Sequence, residues 1–258
     1  MAGLRWLGCA EYAVPGRSLI DKLIFLRDRG MWLELANDGT KEMREVMSAV
    51  GSTGARILSV QAYRLHDLQL PSGDRGEVEA ALRHVLETME MAAGVGAENV
   101  VTTAAYGDPG MPNALERCVE IYRALGKAAG DLGVTVSVEP LGRNRTSFIP
   151  GLRDVVAFVS RVGSEWVRPM ADTMHIHDNG DPVYDVIARH LDLLSEIQLR
   201  DTGSLPPGSG KLDFSKIVEL LRGYGGLVCL EYTPGRDAES DFAAAVAKVR
   251  ELISRAQL

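Results

Sequence analysis

The sequence is short of cysteine, of long apolar runs, of basic charge and of nucleotide-binding glycine loops, and each shortage removes a class of protein. Its three cysteines, Cys9, Cys118 and Cys229, lie far apart and form no CxxC pair. That excludes a disulfide scaffold and a paired-cysteine metal knuckle, and each thiol reads as a small buried hydrophobe in a reducing compartment. No apolar run approaches the roughly 18 residues a membrane helix needs. The opening MAGLRWLGCAEY has no long apolar core followed by a cleavage site, so no signal peptide is expected and a cytoplasmic location is. Net charge is −7, with the acidic residues spread along the chain, which argues against a nucleic-acid groove or an anionic-membrane face. GxGxxG is absent after the first strand candidate, and GxxxxGK[ST] is absent altogether. No Pro/Gly/Ser-rich linker breaks the chain, so residues 1–258 read as a single domain.

What is present is alternation. Strand candidates fall at Leu4–Glu11, Trp32–Ala36, Ile57–Ala62, Asn99–Ala104, Val134–Glu139, Arg168–Asp172, Leu193–Leu199 and Gly226–Glu231. Between them, apolar residues recur three and four apart: Leu82, Val85, Leu86 and Met89; Phe214, Ile217, Leu220 and Leu221; Phe242, Ala245, Val246 and Val249. Gly133 and Gly223–Gly226 stand as helix stops before strands, and Asp213 as a cap for the helix that follows it. Strands separated by helices are parallel neighbours. At 258 residues the expected fold is a single (β/α)8 TIM barrel, with a doubly wound open sheet as the alternative.

A β/α barrel carries its chemistry at the C-terminal strand ends. Those ends present Glu139 after VTVSV, Asp172 after RPMA, Gln198 within EIQL and Glu231 after LVCL. Singly, such residues cap helices or pair with basic neighbours at the rim. Together, three carboxylates converging would repel and raise one another's pKa values unless a divalent cation joined them. The oxygen-rich set suits Mn²⁺ or Mg²⁺, with Zn²⁺ or Co²⁺ as further options. His175, three residues beyond Asp172, can face a substrate oxygen or bond to rim backbone. His66 follows the third strand, as a substrate contact or a solvent-facing loop residue, while His84 and His190 sit in helical patterns as packing or surface groups. Arg143 and Arg145 in GRNR are either solvated charges or a fork for a substrate carboxylate or phosphate. The PPGSGK turn at Pro206–Lys211 is a weak candidate for an anion-binding nest.

The segments SVEPLGRNRTSF, ADTMHIHD, IQLRDTGSLPPGSGKLDF and LVCLEYTPG, with VGAENVV upstream, resemble the xylose isomerase-like barrels. That superfamily includes sugar isomerases and epimerases, inosose dehydratases and endonuclease IV. The resemblance covers roughly residues 134–235 and is loose in the first strands. It implies that Glu139, Asp172 and Glu231 are metal-binding carboxylates, that Glu139 and Glu231 also move protons on opposite faces of the substrate, and that His175 contacts substrate. Asp201 and the PPGSG turn match an aspartate and Pro-Gly-x-Gly segment of the family. Three positions depart from it. Gln198 stands where the family places a histidine ligand in an HLKD-like stretch. Arg145 replaces a sugar-binding glutamate, and Ser204 replaces an arginine of the epimerase branch.

The function expected is a divalent-metal-dependent isomerase or epimerase of a small sugar or sugar-derived carbonyl compound, with acidic and phosphorylated compounds among the options, acting through a cis-enediolate. Dehydration of the inosose dehydratase type shares that intermediate and is the runner-up. A metal-free, non-catalytic barrel is the third reading, with the Arg145 cation in the charge well. Five histidines and the acidic balance give an endonuclease IV-like site little support. Partners are expected to be a small molecule, with neither nucleic acid nor membrane. Barrels of this kind often pair, which leaves a homo-oligomer open.

Overall fold

The computed structural model describes residues 7–256. Its strands are β1 (Leu7–Ala10), β2 (Trp32–Asn37), β3 (Ile57–Ala62), β4 (Asn99–Thr103), β5 (Thr135–Glu139), β6 (Val167–Pro169), β7 (Ala171–Asp172), β8 (Glu196–Leu199) and β9 (Leu227–Leu230). All pair in parallel, in the order β6-β5-β4-β3-β2-β1-β9-β8-β7. Residues 4–6 of the expected first strand lie outside the described residues.

The expected sixth strand is divided at Met170 into β6 and β7. Pro169 has no amide hydrogen to give a ladder. The chain nevertheless stays joined on both sides: Met170 N–H donates to the Val138 carbonyl at 3.2 Å, and Ser195 N–H to that of Pro169 at 3.1 Å. Because β6 pairs with β5 and β7 with β8, this one segment closes the ring. An open doubly wound sheet is thereby set aside, and the TIM barrel stands.

Helices cover the outside: α1 (Leu19–Arg27), α2 (Met43–Thr53), α3 (Arg75–Val95), α4 (Ala114–Leu132), α5 (Gly151–Val162), α6 (Thr173–Asp178), α7 (Val183–His190), α8 (Phe214–Leu220) and α9 (Ala238–Arg255). Their termini follow the punctuation. Asp213 accepts from Ser215 N–H at 3.1 Å at the start of α8. Gly133 ends α4 at φ +70°, where a Cβ would be strained. On α9 all four expected apolar residues are buried. On α3 the buried face runs through Val78, Ala81, Val85, Met89 and Ala92, whereas Leu86 is 39% exposed. Leu86 follows Val85 directly, and one residue turns a helix by about 100°, off the buried stripe. Among the described residues, no helix is long and apolar enough to cross a membrane.

Strands buried on both faces lose simple alternation. Outward residues such as Leu33, Leu35, Val60, Val136, Ile197 and Leu230 join the large core under the helices. Inside the barrel, Trp32 packs with Ala10, Leu58, Leu227 and Cys229, and a Cβ on Gly8 would overlap the Trp32 indole. The cysteines are free and buried, as expected.

Above that apolar floor lies a polar layer that supports the mouth. Glu34 and Glu196 are each 0% exposed. Glu196 accepts from Ser59 Oγ and Asn99 Nδ2, both at 2.7 Å. Glu34 accepts from Gln61 Nε2 at 2.8 Å and Gln198 Nε2 at 3.0 Å. Burial pushes the Glu196 carboxyl up to about 7, and burial together with the Glu196 charge raises Glu34 well above the carboxylate range. An unfolded glutamate releases its proton near 4.5, so the native state holds that proton more tightly between there and about 7. The associated stability is complete below the lower value and is lost as pH rises through the higher one. Thermal unfolding across pH 5–8 should show the loss, on the order of 3 kcal/mol. Glu196→Gln should make the profile shallower by that amount, with Glu34, Glu139 and Glu231 still contributing, and an unchanged slope in that variant would refute the assignment.

Candidate active site

The C-terminal strand ends deliver four charged groups to one point. Glu139 ends β5, Asp172 ends β7, Arg200 follows β8 and Glu231 follows β9. The Arg200 guanidinium stands among the carboxylates. Its Nε donates to Asp172 Oδ2 at 2.8 Å, and its Nη2 pairs closely with the same oxygen. Nη2 also lies 3.0 Å from Glu231 Oε2 and 3.7 Å from Glu139 Oε1. All four side chains are at least nine-tenths buried. Tyr12, just past β1, gives its hydroxyl hydrogen to Glu231 Oε1 in a short contact.

The three carboxyls hold their protons very differently. Burial alone would raise Asp172, but the charges of Arg200 and His175 and several hydrogen bonds outweigh it and hold the group near 2. Burial pushes Glu231 up to about 8, reinforced by the charges of Asp172 and Glu34 and opposed by Arg200. Burial, then Glu231 and Asp172, raise Glu139 well above the usual range. At neutral pH the cluster therefore contains an ionised Asp172 beside two glutamates that favour protons. Environments that separate the proton affinities of neighbouring carboxyls suit acid–base work.

Asp172 also caps α6, its Oδ1 accepting from Met174 N–H at 2.8 Å and His175 N–H at 3.0 Å. The two bland roles open to it, helix cap and partner of a basic neighbour, are thus both filled by one side chain. The DTMHIHD segment forms a short helix, which turns His175 inward and leaves His177 against Asp178 at 3.4 Å, away from the cluster. His175 Nδ1 accepts from Gly142 N–H at 3.1 Å, while its Nε2 lies 3.3 Å from Arg200 Nη2 and 3.7 Å from Glu139 Oε1. Burial lowers this imidazole to about 4 and keeps it neutral.

A cavity of about 340 Å³ opens above the cluster. Tyr12, His66, Glu139, Arg145, Arg200 and Glu231 are among the residues that line it. His66 packs edge-on against Tyr63 and at a tilt against Tyr106, with ring centroids 4.5 and 5.1 Å away. Arg145 reaches the same wall and donates to Tyr106 Oη at 2.9 Å, so it stays at the cavity rim. Arg143 is exposed and lies outside the lining; its backbone N–H bonds Asn179 Oδ1 at 2.7 Å. Gln198 is in register with Asp172 and gives its amide NH2 to Glu34. The PPGSG turn is no anion nest: the Gly208 and Gly210 amides donate to Asp201 Oδ2 at 3.0 and 2.8 Å. A buried carboxylate already fills the place an anion would take. His84 is buried, its Nε2 accepting from Arg64 N–H at 3.3 Å.

Sequence reasoning missed Arg200 and placed the cluster's possible arginine at Arg145. The signal was strand alternation: Gln198 and Arg200 are two residues apart, so both face the barrel interior and the arginine stands nearer the mouth. Tyr12, beyond the end of β1, was legible by the same strand-end rule.

A resident divalent cation is chemically compatible with these groups. Glu139, Asp172 and His175 offer ligand atoms within 4.8 Å of one another. Gln198 Oε1 is a buried oxygen with no hydrogen-bond partner. Such a set matches a hard, oxygen-preferring ion, provided that the Arg200 side chain turns toward the cavity it already lines.

The family model described as xylose isomerase-like TIM barrel matches residues 23–252. The chain belongs to that family. A 3-dehydro-D-guloside 4-epimerase of Escherichia coli (strain K12) is 29% identical over 87% of this chain and 91% of its own length. A D-psicose 3-epimerase of Enterocloster bolteae is 30% identical, over 45% of this chain and 39% of its own. Among solved structures, a 3-keto-D-glucoside 4-epimerase from E. coli superposes with a TM-score of 0.85 at 22% identity, covering 95% of this chain and 98% of that one. An L-ribulose 3-epimerase gives 0.83 at 16% identity, covering 98% and 95%. At those identities the structural likeness speaks for the fold. The named epimerases support the expected enzyme class, a sugar isomerase or epimerase.

Proposed function

We propose that this barrel epimerises a carbonyl-bearing sugar, of the keto-glycoside kind, at the carbon beside the carbonyl. The observation that carries the reading is the pair Glu139 and Glu231. They approach the centre from β5 and β9 with different partners, and both have raised proton affinity. Inversion beside a carbonyl needs one group to take a proton from one face and another to give one back on the opposite face. Tyr12 holds Glu231 through its hydroxyl, and the neutral His175 stands beside Glu139 with its Nε2 3.7 Å from Oε1. Glu139, Asp172, Glu231 and Gln198 would hold a divalent cation, which when bound supplies Lewis-acid polarisation of the substrate carbonyl. His66 and Arg145 on the cavity wall would contact the sugar, and Arg143 at the rim is a more remote candidate. The keto-glycoside assignment is supported by the names of the full-length relative and of the E. coli structure. Arg145 and Ser204 also depart from the free-ketose epimerase pattern at the sugar-binding positions.

The test is conversion of a 3-keto-glucoside and of D-fructose in D2O. The expected result is an epimer of the keto-glucoside carrying solvent deuterium at the inverted carbon. Activity should fall on chelation and return with Mn²⁺ or Mg²⁺. Epimer formed without deuterium would reject proton transfer, and indifference to chelation would reject the cation. Water loss in the product mass would identify the dehydratase reading instead.

One observation favours a second reading. Arg200 already balances the cluster's charge, as a metal-free binding barrel would require. In that case purified protein would contain no stoichiometric divalent metal and would bind none on titration.

A further inference from the structure

The Gln198 amide is held by one end only. Its Nε2 donates to Glu34 Oε1 at 3.0 Å, while its Oε1, fully buried, has no hydrogen-bond partner. A glutamine amide can sit either way round, and its neighbours decide which. Here Glu34 Oε1 also accepts from Gln61 Nε2 at 2.8 Å and faces Cys229 Sγ at 3.5 Å. Reversing the amide would set one oxygen against another that already gathers donors. Glu34 thus fixes the NH2 end and leaves the carbonyl oxygen as the free end.

The strand register says where that free end belongs. Gln198 is paired with Asp172 on one side and Cys229 on the other, and shares its inward face with Arg200, one step nearer the mouth. We propose that Glu34 is a positioning residue that orients the Gln198 carbonyl oxygen for the cation centre of Glu139, Asp172 and Glu231. This rests on the reading that the centre takes a divalent cation. It explains how a neutral amide can serve at a position of this kind: an outer carboxylate decides which atom the amide presents. An all-oxygen set also favours Mn²⁺ or Mg²⁺ over softer ions.

Glu34 is itself anchored from below. Its Oε2 lies 3.3 Å from Ser59 Oγ, which also donates to Glu196 at 2.7 Å, and Asn99 Nδ2 donates to Glu196 at 2.7 Å. The polar layer beneath the mouth is thereby given a task beyond filling the barrel.

The experiment is calorimetric titration of Mn²⁺ into the metal-stripped full chain and its variants. Glu34→Gln can keep an acceptor toward Gln198 and donate to Glu196, so its Mn²⁺ affinity should stay within about threefold of the parent. Glu34→Met and Gln198→Met should each weaken binding about 10–100-fold. The double variant should be no weaker than the worse single one, because both act through the same oxygen. Parent-like affinity in Glu34→Met, or losses that multiply in the double variant, would overturn the proposal. Should Glu34→Met fail to fold, Glu34→Asp withdraws the acceptor by one methylene and should show a partial loss. Parent-like affinity there counts against the proposal equally. A parent chain that binds no Mn²⁺ would instead bring down the cation centre itself, which separates the two failures.

Discussion

Glu139→Gln is expected to lower epimerisation by about 10²–10⁴-fold, and Glu231→Gln to do the same. Glutamine keeps the shape of each side chain and removes its capacity to carry a proton. Under the proposed function each glutamate serves one face of the sugar, so the two losses should differ from a general collapse of the site. Each variant should still exchange the α-hydrogen of one epimer with solvent deuterium, because its surviving glutamate can remove and return a proton on its own face. The two variants should label opposite epimers. Loss of all exchange in either one would mean that a single glutamate does both transfers and the other only binds. In the metal-free protein Glu231, lifted to about 8, keeps its proton through the neutral range, so Mn²⁺ binding should release a proton and tighten as pH rises toward that value. Glu231→Gln should flatten that pH dependence of binding.

Arg200→Met should produce the largest change in stability. The guanidinium contacts Asp172, lies 3.0 Å from Glu231 and approaches Glu139 at 3.7 Å, all within the buried mouth. Removing one member of a buried ionic cluster leaves the rest uncompensated, at a cost of about 3–5 kcal/mol. Urea unfolding of metal-stripped protein near pH 8 measures it. The direction of the pH effect follows from Asp172, which is held near 2 chiefly by Arg200 against burial. That depressed value stabilises the native state above the unfolded carboxyl pKa, and the contribution disappears as pH falls toward 2. The gap between wild type and variant should therefore narrow in acid. Mn²⁺ should restore the variant by more than it stabilises the wild type, since a cation no longer competes with the resident guanidinium. Equal responses to Mn²⁺ would show that arginine and metal do not share the site.

The architecture was legible because alternation of buried strands and amphipathic helices is a local property. Seven of the eight strand candidates describe recognisable strands, with edges moved by a few residues, and the caps at Asp213 and Gly133 stand where side-chain chemistry puts them. Where the reading slipped, geometry intervened. The sixth strand divides beside Pro169, and Leu86 stands off the buried face of α3. The PPGSG turn faces Asp201 rather than a ligand.

The sequence by itself determined the β/α order, the polar groups at the strand ends and the acidic excess, since each is written in neighbouring residues or in composition. Tertiary structure alone decided that Arg200 rather than Arg145 enters the carboxylate cluster, that Asp172 and Glu231 differ widely in proton affinity, and that Glu34 grips Gln198. Those outcomes depend on burial and on distances of a few ångströms between side chains up to 219 positions apart in the chain. Electrostatic interactions at such separations are set by the closed ring, and no local pattern along the chain encodes them.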